Sequence, residues 1–140
     1  MTVKAVCIII IYSICMPKSR NKILIVEDDL ELLEVLKNKF TLEKFEVLQA
    51  SDGKIGLEQA LSNLPDIILL EIVMPIMDGM SMLAKLREDA WGKNASVILL
   101  TNLSDESKVA EGMEHGVFDY LVKADWNIDD VVKKVRAKLN

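Results

Sequence analysis

Cysteine is nearly absent from this chain. Only Cys7 and Cys15 occur, both within the first fifteen residues. The rest of the chain therefore has no disulfide, no thiolate zinc site and no cysteine nucleophile. Proline and glycine are also scarce, at 3 and 6 residues, and no linker or low-complexity tract interrupts a composition that is 51% apolar and 28% charged. That balance belongs to globular rather than disordered chains. Aromatic residues make up 5% of the sequence, and no stretch interleaves them with Lys and Arg as a stacking platform for single-stranded nucleic acid requires. Positive charge is in deficit, with 17 basic residues against 22 acidic ones and a net charge of −5. Direct binding to a phosphate backbone is thus disfavoured as a main activity, and a nucleic-acid role would need a partner.

Long hydrophobic runs are missing too, with one partial exception. The opening MTVKAVCIIIIYSICM is apolar from Ala5 to Met16 apart from Tyr12 and Ser13. It falls short of the ~20 apolar residues of a membrane span. It has the length of a signal-peptide core, yet its positive start is weak and it lacks a small-x-small cleavage site. Met16 opens MPKSRNKILIVEDD, a short basic lead into a strand. The reading adopted divides the chain into residues 1–15, an extension from an upstream start codon, and a domain at 16–140. The alternative is a signal or anchor segment, and only if residues 1–15 are retained is a membrane implicated.

Strand and helix signals alternate from Lys22 onward. Residues 23–26 (ILIV) form a continuous apolar run, the mark of a strand buried on both faces. Leu32, Leu33, Leu36 and Phe40 then recur at helical spacing. Strands are expected at 46–49, 67–70, 97–100 and 118–122. Helices are expected at 54–63, 80–89 and 104–115, the last with Ser104 as N-cap and Gly116 just past its end. A final helix begins near Asn127, with Asp129 and Asp130 in its first turn and Ile128, Val131, Val132, Val135 and Leu139 on its apolar face. His115 falls in a last helical turn and suggests no catalytic role. Met74, Met77, Met80 and Met82 read as packing residues. Five alternations of this kind give an α/β fold with one parallel sheet covered on both sides by helices.

The polar residues gather at one place along the strands. Glu27 and Asp28 end the first, Glu71 the third, Thr101 the fourth and Lys123 the fifth. In a doubly wound sheet the carboxyl ends of the strands meet at the ligand crevice. Three carboxylates there suit a hard cation such as Mg²⁺, and a hydroxyl with an ammonium suits phosphoryl oxygens. Each residue alone has a plainer account, as a helix-start acid, a cap or a solvated charge. Their joint placement favours a phosphoryl site.

The segments ILIVEDD, DIILLEIVMPIMDG, VILLTNLSD and DYLVKADW, in that order, resemble the receiver domain of bacterial two-component response regulators. The resemblance covers about residues 20–140. It implies a flavodoxin-like strand order, 2-1-3-4-5. It also implies that Glu27 and Asp28 hold Mg²⁺ with the Val73 backbone carbonyl and Glu71. Thr101 and Lys123 would contact the phosphoryl group, and the Tyr120 ring would report the state by turning in or out. Asp29 would face outward as a helix N-cap. A sensor histidine kinase or phosphotransfer protein would be the upstream partner. The downstream protein target would bind the fourth helix, fifth strand and fifth helix, about residues 104–139. The expected location is the cytoplasm.

Two departures bear on function. Glu71 stands where the family has its phospho-accepting Asp, and one added methylene moves the carboxylate by about 1.5 Å in a reaction that tolerates little misplacement. The longer arm can instead reach toward Thr101 and Lys123 and partly imitate the modified state, with one negative charge against about −1.5 to −2 for a phosphoryl group. The second departure is Ala124 after Lys123, where many receivers have proline after a cis bond. A cis bond before a non-proline residue costs about 2.5–4 kcal/mol, so a trans peptide is expected, with Trp126 as packing anchor of the loop. Three function classes follow: a stand-alone receiver in phosphorelay signalling, a phosphorylation-independent pseudo-receiver locked in one state by Glu71, and a magnesium-dependent phosphatase. The third would want an acid two residues after Glu71, where Val73 stands, or a cap domain, so no enzyme activity is expected.

Overall fold

In the computed structural model, which describes residues 20–102 and 106–140, the buried strands are where the apolar runs fall. The elements are β1 (Lys22–Val26), α1 (Leu30–Leu42), β2 (Glu46–Ala50), α2 (Gly53–Asn63), β3 (Ile67–Glu71) and α3 (Gly79–Glu88). A 3₁₀ turn (Gly92–Asn94), β4 (Val97–Thr101), α4 (Glu106–Glu114), β5 (Asp119–Val122) and α5 (Ile128–Leu139) complete the chain. The sheet is parallel throughout, in the order β2-β1-β3-β4-β5, which is the doubly wound, flavodoxin-like arrangement expected. Residues 1–15 and the Ser104 cap lie outside the described residues. Among the described residues no helix is long and apolar enough to cross a membrane.

Alternation along the strands divides the core in two. Leu24, Val26, Ile68, Leu70, Val97 and Leu99 point to one face and pack with Ala60 of α2 and Met82, Leu83 and Leu86 of α3. Ile23, Ile25, Ile67, Leu69, Ile98 and Leu100 point to the other, against Leu36 and Phe40 of α1 and Val131 and Val135 of α5. Successive Cβ atoms of a strand point to opposite faces, so an unbroken apolar run fills both layers. Met74, Met80 and Met82 are buried, as a packing role requires.

Helix ends are fixed by the polar residues flanking them. The Asp29 carboxylate accepts from Glu31 N (3.1 Å) and Leu32 N (3.2 Å), capping α1 from an exposed position. Asp78 accepts from Ser81 N at 2.7 Å at the start of α3. Asn127 and Asp130 exchange hydrogen bonds in a capping box at the start of α5. Gly116, at φ 73°, closes α4. Its N–H donates to Met113 O, and that of Val117 donates to Gly112 O. The left-handed residue just past a helix is the position where glycine carries no Cβ penalty.

β3 and β4 each run one residue beyond the apolar runs. Glu71 pairs with Leu100 in the ladder and Thr101 with Val122, so both polar residues are held as strand rather than loop. Among the described residues no peptide bond is cis, and Lys123-Ala124 is trans as expected.

Candidate functional site

At the carboxyl edge of the sheet three polar side chains from three strand ends meet. Glu27 is fully buried, Glu71 is 3% exposed, and the Lys123 side chain reaches between them. Lys123 Nζ donates to Glu27 Oε2 at 2.5 Å and also pairs with Glu71 Oε2. The remaining carboxylate oxygens are occupied as well. Glu27 Oε1 accepts from Asp29 N at 3.1 Å, and Glu71 Oε1 accepts from Ile72 N at 2.7 Å and Val73 N at 3.2 Å. Thr101 is buried at the end of β4, and its carbonyl accepts the Lys123 N–H at 2.7 Å, which anchors the base of the lysine side chain.

Burial pushes the Glu27 carboxyl above its ordinary range, against the lowering effect of the Lys123 and Asp29 donors. For Lys123 burial acts downward, but its hydrogen bonds to Glu27 and Glu71 outweigh that and raise it.

Not every expected site residue joins this cluster. Asp28 is exposed, in the turn between β1 and α1. Val73 is 75% exposed and turns its backbone N–H onto Glu71. Among the described residues no three acidic, histidine or cysteine side chains lie close enough together to hold a metal ion. As arranged, the residues do not fit a magnesium site: the two buried carboxylates are paired with an ammonium, and the third acid, Asp28, is exposed. Tyr120 is 38% exposed. It lines a groove of about 400 Å³ along the free edge of β5, together with Val122, Trp126, Asp130 and Lys134. Trp126 packs on the α1 and α5 layer of the core, as an anchor should.

Two features gave no signal in the sequence. Arg87, in the last turn of α3, donates to the carbonyls of His115 (2.7 Å), Gly92 (2.7 Å), Ala95 (2.8 Å) and Gly116 (3.2 Å), tying α3 to the end of α4. The other is Ile76, a β-branched residue at φ 69° in the loop after Glu71. Met77 N donates to Pro75 O at 2.7 Å across it, which makes a γ-turn of the positive-φ kind, the more strained of the two. Ile76 is 81% exposed, so its side chain gains little from burial. Ile76→Gly is therefore expected to stabilise the domain by about 0.5–1 kcal/mol, relief of backbone strain exceeding the added freedom of the unfolded chain. Urea denaturation midpoints of the two proteins check this, and a lower midpoint for the glycine variant would mean the turn is unstrained.

A family model for the response regulator receiver domain matches residues 23–136. The chain belongs to the response regulator receiver family. Receiver domains are signalling modules that act with histidine kinases or phosphotransfer proteins. This receiver is 38% identical over 117 residues to the response regulator PleD of Caulobacter vibrioides, which covers 84% of the chain and 25% of PleD. The chain spans 25% to 52% of the length of the first curated relatives it matches. Among solved structures, the Francisella response regulator 1452 receiver domain superposes with a TM-score of 0.77 at 32% identity, covering 85% of this chain and 96% of that one. A chain of the CheX-CheY-BeF3-Mg²⁺ complex from Borrelia burgdorferi superposes with a TM-score of 0.79 at 29% identity, covering 92% and 94%.

Proposed function

We propose that this receiver domain serves phosphorelay signalling through protein contacts and that Glu71 is a poor phosphoryl acceptor. The observation that supports this most directly is the pairing of Glu71 Oε2 with the Lys123 ammonium, while Glu71 Oε1 takes two backbone N–H groups. An attacking carboxylate oxygen must be free and in line, and both oxygens here are engaged. Upstream, a sensor histidine kinase or phosphotransfer protein would face this pocket. Downstream, a protein target would bind α4, β5 and α5, where the groove beside Tyr120 lies. No direct nucleic-acid contact is proposed, and the location proposed is cytoplasmic. Magnesium binding through Glu27, Asp28, Glu71 and the Val73 carbonyl, which the resemblance implies, requires Lys123 to withdraw, and no step of the proposal depends on it.

A second reading is the pseudo-receiver, a binding module held in one state by Glu71. The reach of Glu71 to Lys123 favours it, because that contact partly imitates a phosphoryl group's hold on the same lysine. Tyr120 stays partly exposed alongside this contact, so the reading does not require a buried aromatic. The phosphatase reading has no acid at position 73 to support it.

The deciding test is the intact mass of wild type and Glu71→Asp after incubation with a small phosphoryl donor and Mg²⁺. The shorter carboxylate is expected to gain one labile phosphoryl group, and the wild type at least about tenfold less. Equal uptake on Glu71 would make the protein an ordinary switch with a longer acceptor arm.

A further inference from the structure

We propose that Lys123 is the resident cation of the pocket, so that the state of this domain is set without a divalent ion and such an ion enters only in competition with the ammonium. The inference deepens the proposed receiver function by stating how its site is regulated.

The geometry that carries it begins with the length of Glu71. Its Oε1 folds back onto the N–H groups of Ile72 and Val73, and this turns Oε2 toward the middle of the sheet edge, where it meets Lys123. Glu27 does the same from β1: Oε1 holds the Asp29 N–H that opens α1, and Oε2 takes the ammonium at 2.5 Å. The lysine is not a wandering surface charge. Its side chain is 11% exposed, and its backbone N–H is pinned to Thr101 O at 2.7 Å. Two of its three N–H donors thus span the gap between β1 and β3, the position from which one cation pairs with both acids at once.

A magnesium ion there would need several oxygens with open lone pairs at about 2.0–2.1 Å in near-octahedral array, and it gives up its own water reluctantly. The oxygens that face the gap already carry the ammonium, and a divalent ion beside it would meet like charge at short range. The third acid, Asp28, is exposed and offers one carboxylate. The absence of any metal-holding cluster of acidic, histidine or cysteine side chains among the described residues agrees with this. The Glu71 side chain, one methylene longer than Asp, holds its own backbone through one oxygen and the lysine through the other, which commits it to the internal cation.

The experiment titrates MgCl₂ into wild type, Lys123→Met and Glu71→Asp, read by calorimetry, by amide shifts at Glu27 and Glu71, and by thermal midpoint. Wild type is expected to bind weakly and to keep its midpoint when the metal is chelated. Lys123→Met, with two buried carboxylates uncompensated, is expected to melt lower without metal, to bind Mg²⁺ about tenfold tighter or more, and to recover its midpoint in Mg²⁺. Should that variant fail to fold even in Mg²⁺, Glu71→Asp decides, with a gain in affinity over wild type expected. If wild type binds Mg²⁺ as tightly as the variant that decides, Lys123 is not a competitor and the proposal is overturned. No phosphoryl donor enters the titration, so its failure is separate from the question whether Glu71 accepts phosphate.

Discussion

Gly79→Ala is expected to destabilise the domain by about 3 kcal/mol and to deform the pocket in the same step. A Cβ built at Gly79 lies 2.0 Å from Glu71 O, 2.9 Å from its carbonyl carbon and 3.0 Å from Ile72 Cα. All three are backbone atoms at the end of a central strand, so no flexible side chain can give way. Gly79 N also donates to Ile72 O at 2.8 Å, closing the loop that begins at Glu71. Relief requires α3 to lift, and with it Met80, Met82, Leu83 and Leu86 would leave the core. At an unconstrained first-turn position the same substitution would stabilise by about 0.5–1 kcal/mol. The sign is thus the test: urea denaturation should show a clear loss, with amide shifts at Glu71 and Ile72. A gain would mean that the close approach of helix and strand is not what requires glycine here.

That contact explains why some of this structure was legible in the sequence and some was not. Continuous apolar runs at 23–26, 67–70 and 97–100 define strands buried on both faces, and alternation with helical periodicity forces a parallel doubly wound sheet. Polar residues ending those runs must then share one edge, which is how Glu27, Glu71 and Lys123 could be expected together. Which of two adjacent acids turns inward was not legible. Glu27 continues the buried edge of β1 while Asp28 lies one residue further, in the exposed turn that leads into α1. Nor could spacing reveal that one ammonium, 96 residues from Glu27, satisfies two carboxylates. The positive φ of Ile76 was hidden because a β-branched residue gives no turn signal. Its conformation is imposed from both sides, by the Gly79 bond to Ile72 O and by Gly53 N donating to Met77 O at 3.0 Å.

Arg87→Ala is expected to cost about 3 kcal/mol and to loosen the end of α4 more than any other part of the fold. The guanidinium is partly buried, and burial pulls its pKa down, yet it remains charged because arginine does not lose its proton in proteins. Its partners are neutral carbonyls from two segments: Gly92 and Ala95 around the 3₁₀ turn, and His115 and Gly116 after α4. Hydrogen bonds from a charged donor contribute about 1.5–3 kcal/mol each in isolation, but four on one group are not additive, and the cost of burying the charge is recovered when it is removed. Carbonyls near the surface regain water, whereas those facing the protein do not, which places the net loss nearer one or two bonds than four. Arg87→Lys should recover only part of it. A single ammonium keeps the charge but cannot fork between His115 O and Ala95 O as the planar guanidinium does. Thermal or urea denaturation gives the stability, and amide exchange gives the location. The sharpest rise in exchange is expected at Gly116, Val117 and Phe118, where Phe118 N donates to Val97 O at 2.8 Å to start β5. Because that segment leads into the proposed target-binding surface, a uniform rise across the domain would show that Arg87 supports overall stability without positioning α4 against β5.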